Sequence, residues 1–179
     1  MKRYRANTRR GFTLLEASLA TMIIGIGVVA TFRLFAACTQ QNSISTRMTS
    51  AMMLAENIHE AMVGLAFNDP GMGTTNFDAE PGETLFTYDD VDDFHGETFN
   101  PPINSNRNAL NNLAQYSQVV SVWPVHLNNL ETNSNESAPD LTQTSYTGAV
   151  RVRVRVLYQA TPATTPVEIY RQAWIRVDN

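Results

Sequence analysis

The chain has 179 residues, 43% of them hydrophobic and 17% charged, with a formal charge of −4, which leaves room for one compact domain and an anchoring segment. A single cysteine, Cys38, excludes an intrachain disulfide. Lys2, Arg3, Arg5, Arg9 and Arg10 crowd the first 11 residues without an acid, and the remaining eight Lys+Arg face 17 Asp+Glu, a balance of about −9 that argues against general nucleic-acid or anionic-membrane binding.

Residues 12–38 read FTLLEASLATMIIGIGVVATFRLFAAC. The uncharged core, residues 17–32, is shorter than the roughly 20 residues a helix needs to cross a bilayer. The flanks supply the length, with Glu16 and Arg33 near the two ends. Arg33 can snorkel to the far interface, and the basic leader predicts a cytoplasmic N-terminus. An ordinary secretory signal has a shorter apolar core that ends at small residues. A plain signal anchor fits the length and charge and leaves Glu16 unexplained.

The stretch Arg9-Arg10-Gly11-Phe12-Thr13-Leu14-Leu15-Glu16-Ala17 resembles the cleavage and methylation signature of type IV prepilins and type II secretion pseudopilins. The resemblance implies removal of residues 1–11 by a membrane prepilin peptidase, which is a partner of this chain, with the cut between Gly11 and Phe12. Glycine before the cut places no side chain against the scissile backbone. The freed Phe12 amine is then expected to be N-methylated and to keep its positive charge. Glu16 is costly in lipid without a partner. In related filaments that partner is the N-terminal amine of a neighbouring subunit, which makes Glu16 an assembly residue. The resemblance also implies the inner membrane, other pilin subunits and a filament assembly platform as partners. Many major pilins carry proline where Arg33 stands and a cysteine pair in a C-terminal loop. Both are absent here, which points to a minor pilin or pseudopilin. Glu16 is retained, whereas tip subunits of the secretion machinery often lack it. Gly25 and Gly27 serve close helix packing or local melting, or are simply tolerated.

Beyond the apolar segment, Ile44, Met48, Met52, Ala55, Ile58, Met62 and Leu65 recur every three or four residues, predicting an amphipathic helix over residues 39–67. Asn68-Asp69-Pro70-Gly71 is expected to break it. Met48, Met52, Met53 and Met62 read as adaptable core, and His59 as a surface residue.

Residues 68–112 are rich in Asn, Asp, Gly, Pro and Thr, where pilins place a variable loop. Within them, Tyr88-Asp89-Asp90-Val91-Asp92-Asp93-Phe94-His95-Gly96-Glu97 allows two readings. Asp89, Asp90, Asp92 and Asp93 offer oxygen ligands for calcium, although the spacing misses the EF-hand template. Alternatively, this is a solvated acidic turn with Tyr88 and Phe94 packed inward. The patch also resembles a stretch of some minor pilins of the mannose-sensitive haemagglutinin pilus group, a likeness confined to it and the N-terminal stem.

The last third predicts strands. Residues 116–125 carry Val119, Val120, Val122 and Trp123 and end near Pro124. Residues 128–144 read as a polar loop. From Ala149 to Tyr158, Val150, Val152, Val154 and Val156 alternate with Arg151, Arg153 and Arg155. Residues 167–177 supply a partner strand across the Pro162–Pro166 turn. The sum is an α+β, pilin-like fold: a cleaved leader (1–11), a membrane or filament-core helix (12–38), its amphipathic continuation (39–67), and a periplasmic head (68–179) with an antiparallel sheet packed on the helix. The arginine row suits a DNA contact, or pairs with acids such as Glu168 on the adjacent strand or the acidic loop. Asn135-Glu136-Ser137 fits a glycosylation sequon, which means little in the bacterium that such a start implies. No Ser/His/Asp arrangement, phosphate loop or Cys/His metal spacing stands out, so a structural subunit is expected rather than an enzyme. A surface- or DNA-binding minor pilin is the alternative.

Overall fold

Local apolarity and strand alternation set most of the backbone. The computed structural model describes residues 11–67, 79, 82–125, 127–128 and 148–178. The leader before Gly11, the Asn68–Gly71 breaker, most of the 128–144 loop and the Asn135 sequon lie outside the described residues. The chain divides into two compact units, Met1–Ser45 and Thr46–Asn179. A helix, α1, runs over Leu14–Met62 and contributes to both.

In the first unit, α1 is apolar on every side between Glu16 and Arg33, and Leu15, Ile24, Phe32 and Phe35 are exposed. A helix of this kind is stable only when lipid or other protein covers it. It is long and apolar enough to cross a membrane: residues 14–38 alone span about 38 Å at 1.5 Å per residue, against about 30 Å of hydrocarbon. No atom outside the helix's own backbone comes within 4 Å of a Cβ built at Gly25 or Gly27. Gly25 and Ala30 instead lower one face into a shallow apolar groove bordered by Met22, Ile26, Val29 and Arg33.

The second unit is a four-stranded antiparallel sheet with strand order β1-β2-β3-β4, packed on the last turns of α1. Its strands are β1 (Thr98–Phe99), β2 (Tyr116–Pro124), β3 (Ala149–Tyr158) and β4 (Val167–Val177). The expected α+β arrangement is therefore present, and the three long strands lie where the alternation predicts them. Val120 and Val122 of β2 join Val150, Val152, Val154 and Val156 of β3 on the buried face. Each contributes roughly 1.5–3 kcal/mol through burial. They meet Ala51, Leu54, Ala55, Ile58 and Met62 of α1.

This contact corrects the expected stripe. Ala55, Ile58 and Met62 are buried as predicted, whereas Ile44, Met48, Met52 and Met53 are exposed. Full burial begins at Ala51, while Arg47 one turn earlier lies over the Tyr158 ring of β3; Met48, Met52 and Met53 fall to the flank of this packed face. The helix also stops at Met62, short of the predicted residue 67. Gly64 adopts φ +100°, a left-handed conformation that ends helices. The Arg176 guanidinium, from β4, donates to the carbonyls of Met62 (2.8 Å) and Leu65.

β4 covers α1 with polar and aromatic side chains rather than valines. Gln172, Trp174 and Arg176 pair across the sheet with Val154, Val152 and Val150, which places them on the core face. They meet Glu56, His59 and Met62: Gln172 Nε2 donates to Glu56 (3.1 Å), and the Trp174 ring lies edge-on to His59 at 4.6 Å. His59, expected at the surface, is thus half-buried.

Gln118 fastens the head internally. Fully buried, it donates to the carbonyls of Leu54 (2.8 Å) and Ile103 (3.1 Å) and accepts the Ile103 N–H (2.7 Å). One amide so joins α1, the segment after β1, and β2.

Candidate functional site

The N-terminal residues singled out by their order lie at the start of α1. Gly11 and Phe12 are exposed and precede the first helical turn. Thr13 is the N-cap and Glu16 the third helical residue. The Thr13 N–H and hydroxyl each donate to Glu16 Oε2 at 3.0 Å, while the Glu16 N–H reaches Thr13 Oγ1 at 3.3 Å. This reciprocal capping box satisfies donors that a helix start leaves open. The Thr-x-x-Glu spacing is itself a recognisable start signal, so Thr13 was legible as a residue that holds Glu16.

In the head, residues 82–97 form an acidic strap between the end of α1 and the sheet. Ala66 N–H donates to Asp89 O at one end. At the other, Gly96 N–H donates to Val120 O, Val120 N–H to Glu97 O, and Val122 N–H to His95 Nδ1. Tyr88 and Phe94 pack inward as expected, ring to ring at 5.2 Å, with Phe94 also edge-on to Phe99 at 6.2 Å. The Tyr88 hydroxyl donates to Glu97, and burial, reinforced by the Glu97 charge, pushes it up to about 12. Arg107 clamps the strap from outside, donating to the carbonyls of Leu85 (2.9 Å) and Tyr88 (2.8 Å).

Three of the four aspartates are not solvated: Asp90, Asp92 and Asp93 are 2%, 2% and 1% exposed, whereas Asp89 is exposed. The reason is local. Asp90 Oδ1 accepts the N–H groups of Asp92 and Asp93, opening the 3-10 turn Asp92–Phe94. Asp93 Oδ2 accepts those of Asp89 and Asp90. The two carboxylates cap the strap's own backbone, the usual work of aspartate in tight turns. Burial, followed by the Asp92 charge, raises Asp90 to about 7. Burial, with the charges of Asp90 and Glu83, raises Asp93 to about 7 against its backbone hydrogen bonds.

Of the four aspartates considered for calcium, Asp89 and Asp93 come together with Glu83, their nearest carboxylate oxygens within 4.8 Å of one another. Asp90 is turned to the backbone, and neither it nor Asp92 joins this cluster. Nothing in the linear spacing pairs Glu83 with Asp89, because the turn at residues 84–87 carries it back.

The arginine row of β3 is not a free basic face. Arg153 is buried, and Arg151 and Arg155 are half-buried. Arg155 stands 4.0 Å from Glu168, the strand partner anticipated for the row, while Glu168 is held more closely by Arg171 at 2.9 Å. Comparison with family models, with curated proteins and with solved structures finds no match, so the functional reading rests on these residues.

Proposed function

We propose that this chain is a minor type IV pilin-like structural subunit. Prepilin peptidase cuts it between Gly11 and Phe12 and methylates the Phe12 amine, and the helix then joins other subunits in a pilus or pseudopilus. In this reading the precursor sits in the inner membrane, N-terminus in the cytoplasm and head in the periplasm, until an assembly platform extracts it.

The observation that carries the reading is the conjunction at the head of α1. Gly11 and Phe12 are accessible, Glu16 is hydrogen-bonded to Thr13, and an apolar helix follows that finds no cover among the described residues of its own unit. Such a helix needs lipid first and other helices later, which is what a filament core requires. Both Thr13 contacts use Glu16 Oε2. An unpaired charge in lipid costs at least a few kcal/mol, so the incoming amine of a neighbouring Phe12 has a strong electrostatic reason to seek this carboxylate. The groove beside Gly25 and Ala30 suits close helix packing.

Two variants test the proposal in cells carrying the matching peptidase and assembly machinery. Gly11→Ile should leave the precursor at full mass, whereas the parent loses residues 1–11. Glu16→Ala should be processed yet fail to enter filaments. Unaltered incorporation of Glu16→Ala would sink the assembly role, and an uncut parent would sink the proposal as a whole.

A further inference from the structure

The acidic strap holds one oxygen that the fold does not use. Asp93 is 1% exposed, and its Oδ2 accepts two backbone N–H groups, yet its Oδ1 is sealed from solvent with no hydrogen-bond partner. A buried carboxylate oxygen without a donor is rare and costly. Asp93 brings a carboxylate oxygen within 4.8 Å of those of Glu83 and Asp89, and Oδ1 is its oxygen that no hydrogen-bond donor occupies.

We propose that Glu83, Asp89 and Asp93 bind a hard divalent cation of the calcium class, with Asp93 Oδ1 as its buried ligand. Oxygens around one calcium ion at 2.3–2.6 Å stand at most about 5 Å apart, and the three carboxylates meet that limit. The donor set is oxygen alone, which disfavours zinc, copper and nickel. Three carboxylates on a bent strap suit calcium better than magnesium, which keeps most of its waters and usually takes one or two carboxylates. The nearby Arg107 directs its hydrogen bonds to the Leu85 and Tyr88 carbonyls and lies over the face of Phe94. Asp89 is exposed, leaving one side open for waters to complete the coordination. The ion would tie the turn at Glu83 to the 3-10 turn at Asp93 and so fix the strap between the end of α1 and β2. With few protein ligands and an open side, affinity is expected in the range of extracellular modules, roughly 0.1–1 mM. The head would then stiffen on reaching a calcium-rich medium.

The test uses the full chain in detergent micelles, stripped with chelator and followed by tryptophan fluorescence on heating. Both tryptophans, Trp123 and Trp174, report on the head. Calcium chloride at 10 mM should raise the melting temperature by about 5 °C or more, and magnesium chloride by clearly less. Asp93→Asn keeps an oxygen for the two backbone bonds, and it should fold and lose the calcium response. Glu83→Gln and Asp89→Asn, nearer the surface, should lose it too and cover the case of a poorly folding Asp93 variant. Asp90→Asn should keep it. No response in the parent, an undiminished response in Asp93→Asn or in both surface variants, or a lost response in Asp90→Asn would each overturn the site. None of these results depends on processing or filament assembly.

Discussion

Replacing Gln118 by leucine asks whether the head is held by one amide or only by its valines. The side chain is fully buried and close to leucine in size, so the exchange leaves little cavity. It removes three hydrogen bonds, two donated to Leu54 and Ile103 carbonyls and one accepted from the Ile103 N–H. Leu54 O keeps its intrahelical bond, and Ile103 O keeps a long contact with Asn57 at 3.5 Å. The Ile103 N–H, in a residue only 3% exposed, keeps nothing. An orphaned buried donor costs about 1–3 kcal/mol and each lost neutral bond about 1. Leucine's greater apolarity offsets part of this, leaving a net loss of about 2–4 kcal/mol, a large share of the usual 5–15. In urea, with tryptophan fluorescence as the readout, the midpoint should fall by about 1–2 M. Gln118→Glu should fare no better at pH 7, since a carboxylate cannot donate to either carbonyl. A midpoint within about 0.3 M of the parent for the leucine variant would refute the reasoning and place the specificity of this junction in apolar packing.

Two other measurements probe the same head. Arg176→Met should cost about 1–3 kcal/mol, because it strips charge-assisted bonds from the end of α1, and Arg176→Lys should recover only part, since an ammonium lacks the two-pronged fork; equal stability of parent and Met variant in urea would remove the cap from the account. The strap should also make stability depend on pH when chelator is present. Asp90 and Asp93 are raised to about 7 when folded, so between about pH 4 and 7 the native state binds more protons than the unfolded one and loses stability as pH rises. Asp93→Asn cannot lose that proton, so its melting temperature should gain on the parent's from pH 5 to pH 8; a constant difference would show that Asp93 does not titrate in this window.

Much of this molecule follows from short-range order. The valine-arginine alternation from Ala149 to Tyr158 specifies a strand with one buried face, since successive side chains leave a strand on opposite sides, and β3 has these limits. The apolar run after Gly11 likewise specifies a helix that, among the described residues of its own unit, nothing covers. Tertiary contacts decided the rest. The stripe from Ile44 to Leu65 marks a helical face, but which of its residues are buried depends on how β2 and β3 cover the helix, and full burial starts only at Ala51. The helix end depends on Gly64 and on Arg176, which lies 114 residues beyond Met62 in the chain. His59 is covered because Trp174 of β4 crosses it.

The acidic strap divides the same way. Four aspartates beside two aromatic residues were plain in the order of residues, and Tyr88 and Phe94 do turn inward. Which oxygens cap backbone and which stays bare was not plain, nor was Glu83 as their neighbour. A periodicity of two or of 3.6 residues belongs to the backbone and is written locally. The turn of a helix that meets a sheet, and the carboxylate left without a donor, belong to contacts between distant segments, and only folding brings those together.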